Sequence, residues 1–229
     1  PVPELYRICE IARELTRTGP YKVGRVIARP FIGSEDAFTR TSNRHDYALH
    51  VPKENLLHDL LNHDIPVYAV GKIRDIYAGT SFTKAEPTKS NEDGMEKTLT
   101  FYQELCRTYE HGLLYVNLVD FDMKYGHRRD AEGYGAALAV FDTWLLELIK
   151  IIDEDTVVVL TADHGCDPGD VSTDHTREYV PLLVYGEGIK PVDLGTRVGF
   201  CDIASTIAEF LGIESHSQGI SFKGEITDA

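Results

Sequence analysis

Short apolar runs alternate with amphipathic segments along most of this sequence, and this alternation limits the possible folds more than any other feature. Four runs predict buried strands: Pro66–Val70, Leu113–Val119, Thr156–Thr161 and Val180–Val184. Four other segments predict helices: Glu54–Asn62, Ser90–Glu110, Glu132–Ile152 and Asp202–Leu211. The run Leu113–Val119 is mostly apolar and does not alternate, as in a strand that is covered on both faces. Strand followed by helix, repeated, predicts an α/β fold with a mainly parallel sheet and helices on both faces.

Two of the predicted helices have clear local signals. Ser90-Asn91-Glu92-Asp93 is typical of a capping box at the start of a helix. In Glu132–Ile152, apolar side chains recur at helical spacing and predict one buried stripe, formed by Tyr134, Leu138, Phe141, Leu145, Leu148 and Ile152.

The first fifty residues have a different character. Pro3–Arg17 predicts a helix and Lys22–Ala28 a strand, whereas the polar segment Phe31–His50 predicts a loop or irregular structure. We place a domain junction near Val51-Pro52. The sequence therefore predicts two parts, residues 1–51 and residues 52–229.

Composition excludes several classes of protein. The chain has 23 Lys and Arg residues against 37 Asp and Glu residues, and the net charge of −14 argues against a nucleic-acid partner. No apolar run approaches the roughly 20 residues of a membrane helix, so we expect no membrane span. The four cysteines form no C-x-x-C pair, which is typical of reduced thiols and predicts a cytoplasmic location.

Asp and His residues cluster where three predicted strands end. Asp122 and His127 follow Leu113–Val119, Asp163 and His164 follow Thr156–Thr161, and His175 comes shortly afterwards. Ligands of such sheets bind beyond the carboxyl ends of the strands, so we expect these side chains to converge there. One strand-end Asp is more often a helix cap, and one His is more often a surface residue. Three such clusters at one edge favour a divalent metal site such as Zn²⁺ or Mn²⁺.

Five candidate ligands indicate two metal ions rather than one. Two neighbouring divalent ions favour phosphoryl transfer, because they stabilise both the attacking and the leaving oxygen. Hydrolysis of other esters or of sulfate stays open on these residues alone.

Four segments of the sequence resemble a known family: Gly24–Phe31, Asn117–Asp130, Thr161–Gly165 and Ser172–Tyr185. They are similar to the alkaline phosphatase superfamily and, within it, to the phosphopentomutases. The resemblance implies an isomerase that interconverts ribose (or deoxyribose) 1-phosphate and 5-phosphate. It also implies two Mn²⁺ ions, which Mg²⁺, Zn²⁺ or Co²⁺ could replace. A phosphorylated threonine would exchange phosphoryl groups with a sugar bisphosphate activator.

The resemblance also assigns the ligands to two metal positions. It implies Asp122, His127 and His175 for one ion, and Asp163 and His164 for the other. The family's first metal-binding Asp and its nucleophilic Thr have no counterpart in this sequence, and we expect them in an N-terminal segment outside it. Residues 1–51 would then be the later half of a cap domain, and residues 52–229 the later part of the metal-binding core.

Three basic residues are candidates for binding the sugar phosphate. Arg29 and Arg44 are favoured by the resemblance, and Lys72 lies just after the predicted strand Pro66–Val70. Two alternatives to the mutase remain open. One is a metal-dependent phosphatase or phosphodiesterase of the same superfamily, and the other is a non-catalytic metal-binding module.

Overall fold

The computed structural model describes residues 1–35 and 37–228. It divides into two compact units, Pro1–Pro52 and Lys53–Ala229. Among the helices of the described residues, none combines the length and the apolar composition that crossing a bilayer requires.

The first unit contains one helix and two small antiparallel sheets. Helix α1 (Val2–Leu15) packs on the sheet that β1 (Arg25–Ala28) forms with β4 (His45–Ala48). The second sheet pairs β2 (Phe31–Ile32) with β3 (Thr39–Arg40). The buried Arg13 of α1 donates hydrogen bonds to three backbone carbonyls, those of Thr16, Val23 and Tyr47, and so ties the helix to the sheet.

The prediction of a loop for Phe31–His50 is therefore wrong in part, because three strands lie within that segment. Two of them have only two residues each, which is too short for an alternating pattern to be visible. The third has the polar sequence His45-Asp46-Tyr47-Ala48 and is at most half-buried, since this small sheet has an exposed face. Few apolar side chains are needed there, so the sequence has no hydrophobic signal.

The second unit is organised around the buried strand β5 (Val67–Val70), which pairs in parallel with β6 (Lys84–Glu86) and β7 (Leu113–Val116). Val67 packs against the core that α2 (Leu56–Asn62) forms with α6 (Cys201–Phe210). Tyr68 and Val70 pack on the other face against α4 (Asn91–Thr108). All four residues of β5 are buried, and helices pack on both of its faces, as the fold class predicts. The prediction that Leu113–Val119 is a strand covered on both faces is wrong, because β7 ends at Val116 and is only half-buried, with Tyr115 exposed.

Ser90 caps helix α4 as the capping box predicts, because its side chain accepts a hydrogen bond from Asp93 N–H at 3.3 Å. Asp59 of α2 is also buried. Its carboxylate accepts hydrogen bonds from the Ser215 hydroxyl at 2.9 Å and from His216 N–H at 2.8 Å, and it pairs with His216 Nδ1 at 2.7 Å. This cluster attaches the segment after α6 to α2.

The later strands differ from the prediction in one respect. β8 (Val158–Leu160) and β9 (Leu183–Tyr185) form a separate antiparallel pair rather than continuing the parallel sheet. β8 is shorter than the predicted strand Thr156–Thr161. β9 is shorter than the predicted strand Val180–Val184 and begins three residues later. Apolar composition indicates that a strand is buried, but it does not determine the direction of its partner.

Helix α5 (Ala131–Ile151) has the predicted stripe on its less exposed side. Leu148 is buried, and four other members of the stripe are half-buried: Tyr134, Phe141, Leu145 and Ile152. Leu138 is the exception, with 47% of its surface exposed. The remaining helices are α3 (Ile73–Ile76) and α7 (Lys223–Ile226).

Candidate metal centre

An irregular turn brings Asp122 and His127 together. On an α-helix, side chains five residues apart point about 140° away from each other. Here Phe121–Tyr125 forms a π-helical turn, in which Gly126 N–H donates to the carbonyls of both Asp122 and Phe121, the latter five residues back. A turn closed by an i→i+5 bond aligns residues five apart, and such turns are frequent at functional sites. A short 3₁₀ turn, Gly126–Arg128, follows and contains His127.

Asp122, His127 and His175 form one cluster of potential metal ligands. Asp122 Oδ1 lies 3.1 Å from His127 Nε2 and 3.2 Å from His175 Nε2. One ligand atom from each residue lies within 4.8 Å of the other two. Ligand atoms that are each about 2.1 Å from one ion are themselves about 3.0–3.4 Å apart, so these distances fit shared coordination.

The hydrogen bond of His127 fixes which ring nitrogen faces the carboxylate. His127 Nδ1 lies 2.6 Å from the carbonyl oxygen of Thr173, which can only accept, so Nδ1 has the proton. In the neutral ring, Nε2 is then an acceptor, and it faces another acceptor, Asp122 Oδ1. Two acceptors 3.1 Å apart need a cation or a proton between them. A carboxylate with two imidazoles suits a divalent metal ion, and the residues present fit one.

Asp163 and His164 lie beside this cluster rather than within it. His164 Nδ1 is 3.0 Å from Gly165 O, so Nε2 is left to face Asp163 Oδ2 at 3.6 Å. The His164 ring stacks on His175, with 3.5 Å between ring centroids and 14° between planes. The stacking places the pair next to the triad. The Asp163 carboxylate is 61% exposed and remains available to a ligand.

Lys72 reaches the other side of Asp122. Its Nζ is 3.9 Å from Asp122 Oδ2, the oxygen that the histidines do not face. The preceding Gly71 has φ +87°, and a Cβ there would overlap the carbonyl oxygen of Asn117. Only glycine adopts that conformation here without strain, and this conformation allows the chain to turn from β5 towards the site. Of the three predicted substrate residues, Lys72 is the one in this unit, and it lies beside Asp122.

Cys166 is a neighbour of Asp122 that sequence reasoning did not place in the site. Its Sγ lies 3.9 Å from Asp122 Oδ1, and burial, followed by the negative charge of Asp122, raises the pKa of the thiol. The thiol therefore stays protonated and is a weak donor to the carboxylate. A Cβ at Gly126 would overlap this sulfur, so the close approach of the two segments requires glycine at position 126.

Asn91 and Asp120 form a buried clasp that sequence reasoning also missed. Asn91 N–H donates to Asp120 Oδ2, and Asp120 N–H donates to Asn91 Oδ1, both at 2.9 Å. The clasp holds the start of α4 against the segment that leads into Asp122. A capping box at Ser90 and an Asp two residues before a candidate ligand were the signals available, but neither specifies their pairing.

The other two predicted substrate residues lie in the first unit. Arg44 forms a bidentate pair with Asp46, with distances of 2.8 and 2.9 Å. That hydrogen bonding lowers the pKa of Asp46 and raises the pKa of Arg44. Arg29 is exposed and contributes a further positive charge near Asp46. Sugar binding by Arg29 and Arg44 stays a prediction.

Several curated proteins with the same name are similar to this chain over nearly its whole length. The protein named phosphopentomutase from Kosmotoga olearia is 52% identical over 229 residues, which is 100% of this chain and 58% of that protein. The protein of the same name from Desulfitobacterium hafniense is 53% identical over 99% of this chain and 57% of its own length. That from Carboxydothermus hydrogenoformans is 52% identical over 99% of this chain and 57% of its length. The resemblance predicted from the motifs is confirmed, and the chain spans somewhat more than half the length of these curated relatives.

A solved structure shares the fold. The PH0037 protein from Pyrococcus horikoshii matches 92% of this chain and 63% of its own length, with a TM-score of 0.56 and 13% identity. This likeness concerns the fold alone. The family model described as "Metalloenzyme superfamily" matches residues 21–215, which is most of the chain. The predicted α/β class is confirmed, and the chain belongs to the Metalloenzyme superfamily.

Proposed function

We propose that the complete protein is a phosphopentomutase, an isomerase that interconverts the 1-phosphate and 5-phosphate of ribose or deoxyribose. The observation that supports this most directly is 52% identity, over every residue of this chain, to a protein named phosphopentomutase. Because the chain spans 58% of that relative, the proposal concerns the activity of the complete protein.

The metal ions belong to this proposal. Asp122, His127 and His175 would hold one ion, and Asp163 and His164 would contribute to a second. We propose Mn²⁺ as the metal, with Mg²⁺, Zn²⁺ or Co²⁺ able to replace it. When bound, a pair of divalent ions neutralises charge on a transferring phosphoryl group and orients the attacking and leaving oxygens.

The chain's own residues prepare this site. The carbonyl of Thr173 holds His127 in the tautomer that directs Nε2 at the metal position. Lys72 has an ammonium group 3.9 Å from Asp122, and its side chain is 43% exposed. A phosphate bound at the metal position would compete with Asp122 for this cation, so Lys72 would help to bind the substrate.

The sugar would be recognised by the first unit. Residues 1–51 would form the later half of a cap domain, and residues 52–229 the later part of the core. Arg29 and Arg44 would bind the pentose phosphate, for which Arg44 must exchange its bidentate contact with Asp46 for oxygens of the substrate. We propose a cytoplasmic location for the enzyme.

A phosphothreonine enzyme with a sugar bisphosphate activator would complete the reaction. The phosphoryl group would pass from the threonine oxygen to the free hydroxyl of the sugar monophosphate, which gives a bisphosphate. Transfer of the other phosphoryl group back to the threonine would release the isomer. No residue of this chain is assigned as that threonine.

The test is an assay of the complete protein with ribose 1-phosphate, Mn²⁺ and a catalytic amount of the bisphosphate. We expect ribose 5-phosphate without release of inorganic phosphate. His175→Ala should abolish conversion and reduce bound Mn²⁺, whereas His111→Ala should change neither, because His111 is exposed and has no hydrogen bond or ion pair among the described contacts. Stoichiometric phosphate release would instead support a phosphatase, and metal binding without turnover a non-catalytic module.

A further inference from the structure

Arg129 has a backbone conformation that its side chain makes unfavourable. Its φ is +57° and its ψ is 35°, the left-handed region, in which residues other than glycine are uncommon. It lies two residues after His127, where the 3₁₀ turn ends. A strained residue beside a functional site persists only when the surrounding contacts hold it there.

The guanidinium of Arg129 spans two segments that are far apart in the sequence. Its Nε donates a hydrogen bond to the carbonyl oxygen of Asp170, 41 residues away, at 2.8 Å. Asp170 begins the turn that leads to His175. Within that turn, Asp170 Oδ1 accepts from Ser172 N–H, and Ser172 Oγ accepts from Asp174 N–H. Arg129 thus holds the first residue of a locally folded turn whose last residue precedes a candidate ligand.

A second contact joins the same two segments. Thr173 O accepts the hydrogen bond from His127 Nδ1 that orients this ligand. If the turn containing Thr173 moved, His127 would lose the acceptor that fixes its tautomer. Arg129 and His127 therefore contact the same turn, Arg129 at the carbonyl of Asp170 and His127 at the carbonyl of Thr173.

We propose that Arg129 is a positioning residue for the metal centre. By holding the Asp170 carbonyl, it keeps Thr173 and His175 at the distances from His127 and Asp122 that a shared ion requires. This inference rests on the proposed function, since it gives Arg129 a role at the metal site proposed there. Arg129 does not touch the metal position itself.

Arg128 provides a matched control. It has the same side chain and adjoins Arg129, but the described contacts include no hydrogen bond or ion pair for it. Arg129→Ala and Arg128→Ala therefore remove the same charge one residue apart. Arg129→Gly is a second test variant, because it removes the guanidinium and also relieves the backbone strain.

The first measurement is hydrogen exchange of the metal-free chain. We expect residues 167–176 to exchange several-fold faster in Arg129→Ala and Arg129→Gly, with α4 unchanged, while Arg128→Ala behaves like the native chain. The second is Mn²⁺ titration by calorimetry. Partners that orient a ligand typically change metal affinity ten- to hundredfold, and we expect about tenfold weaker binding in both Arg129 variants.

Three outcomes would overturn the proposal: native exchange in residues 167–176 of Arg129→Gly, native Mn²⁺ affinity in that variant, or faster exchange throughout the second unit. The last would show that Arg129 stabilises the whole unit rather than the site. If the complete protein binds no Mn²⁺, the proposed function fails, and the exchange of residues 167–176 still decides whether Arg129 holds this turn.

Discussion

Substitution of Asp122 by Asn should separate metal affinity from stability. Asp122 Oδ1 faces two imidazole nitrogens at 3.1 and 3.2 Å, and Oδ2 faces Lys72 Nζ at 3.9 Å. The amide keeps the shape of the side chain but removes its charge and provides two N–H donors. An amide N–H could donate to His127 Nε2, which is an acceptor when the ring is neutral.

The expected changes differ greatly in size. In the metal-free chain, the new hydrogen bond should stabilise the fold by about 0.5–1.5 kcal/mol. Loss of the partly exposed ion pair with Lys72 should destabilise it by about 0–1 kcal/mol. These offset each other, so the free energy of unfolding should change by no more than about 1 kcal/mol. Loss of a direct ligand should exceed the effect of an orienting partner, so Mn²⁺ affinity should fall at least about a hundredfold, or roughly 2.7 kcal/mol.

Both quantities can be measured on the same sample, by urea unfolding of the metal-free chain at pH 8 and by Mn²⁺ titration. Asp174→Asn is the matched control: Asp174 lies next to His175, and its carboxylate has no hydrogen bond or ion pair among the described contacts. Native Mn²⁺ affinity in Asp122→Asn would remove Asp122 from the metal site. Destabilisation by more than about 2 kcal/mol would refute the argument that two acceptors face each other.

Three further predictions concern other contacts. Burial alone would raise the pKa of Asp59, but hydrogen bonds from His216 and Ser215 lower it below the ordinary 3.8, and the same pairing raises the pKa of His216 above 6.5. The pair should thus stabilise the fold fully between about pH 3.8 and 6.5 and less outside that range; unfolding of His216→Ala beside the native chain should differ most near pH 5, and an equal difference at pH 9 would contradict this. Arg44→Ala should slow sugar-phosphate turnover about ten- to hundredfold with Mn²⁺ binding intact, and Arg44→Lys should not restore it, because the bidentate fork is lost; steady-state kinetics with native values would exclude the role. Asn91→Ala removes the side-chain oxygen that accepts from Asp120 N–H, keeps the bond donated by its own backbone N–H, and leaves a buried donor unpaired; the free energy of unfolding should fall by about 1–3 kcal/mol in a denaturant titration, and a change below about 0.5 kcal/mol would refute this.

The parts of the fold that the sequence predicts are those with strong hydrophobic periodicity. β5 and α4 were identified because one is a continuous apolar run and the other begins with a capping box. The strands within residues 31–48 were missed because two of them have only two exposed residues each, and the third, His45–Ala48, is mostly polar and at most half-buried. The antiparallel pairing of β8 with β9 was missed because burial, not direction, determines the composition of a strand.

The candidate site was predictable in its residue types but not in its contacts. Asp122, His127 and His175 follow predicted strands, and the rule that ligands bind at carboxyl ends predicts that they converge. The partner of His127 is a backbone carbonyl, that of Thr173, which has no signature in the sequence. The contact of Cys166 with Asp122 depends on the close packing at Gly126, which a sequence shows only as one glycine among 19.

The backbone at the candidate metal centre is irregular for a geometric reason. Two ligands five residues apart cannot share an ion from a regular helix, so Asp122 and His127 require a wider turn, and the chain must then recover before α5 begins at Ala131. Arg129 makes that recovery with a positive φ, and its guanidinium is directed at the turn before His175. The positive φ of Arg129, which follows from the turn around Asp122 and His127, therefore also directs its side chain to the carbonyl of Asp170, before His175. A glycine at position 129 would satisfy the backbone but leave that segment without its hydrogen bond, which is why we regard the strain and the contact as one feature.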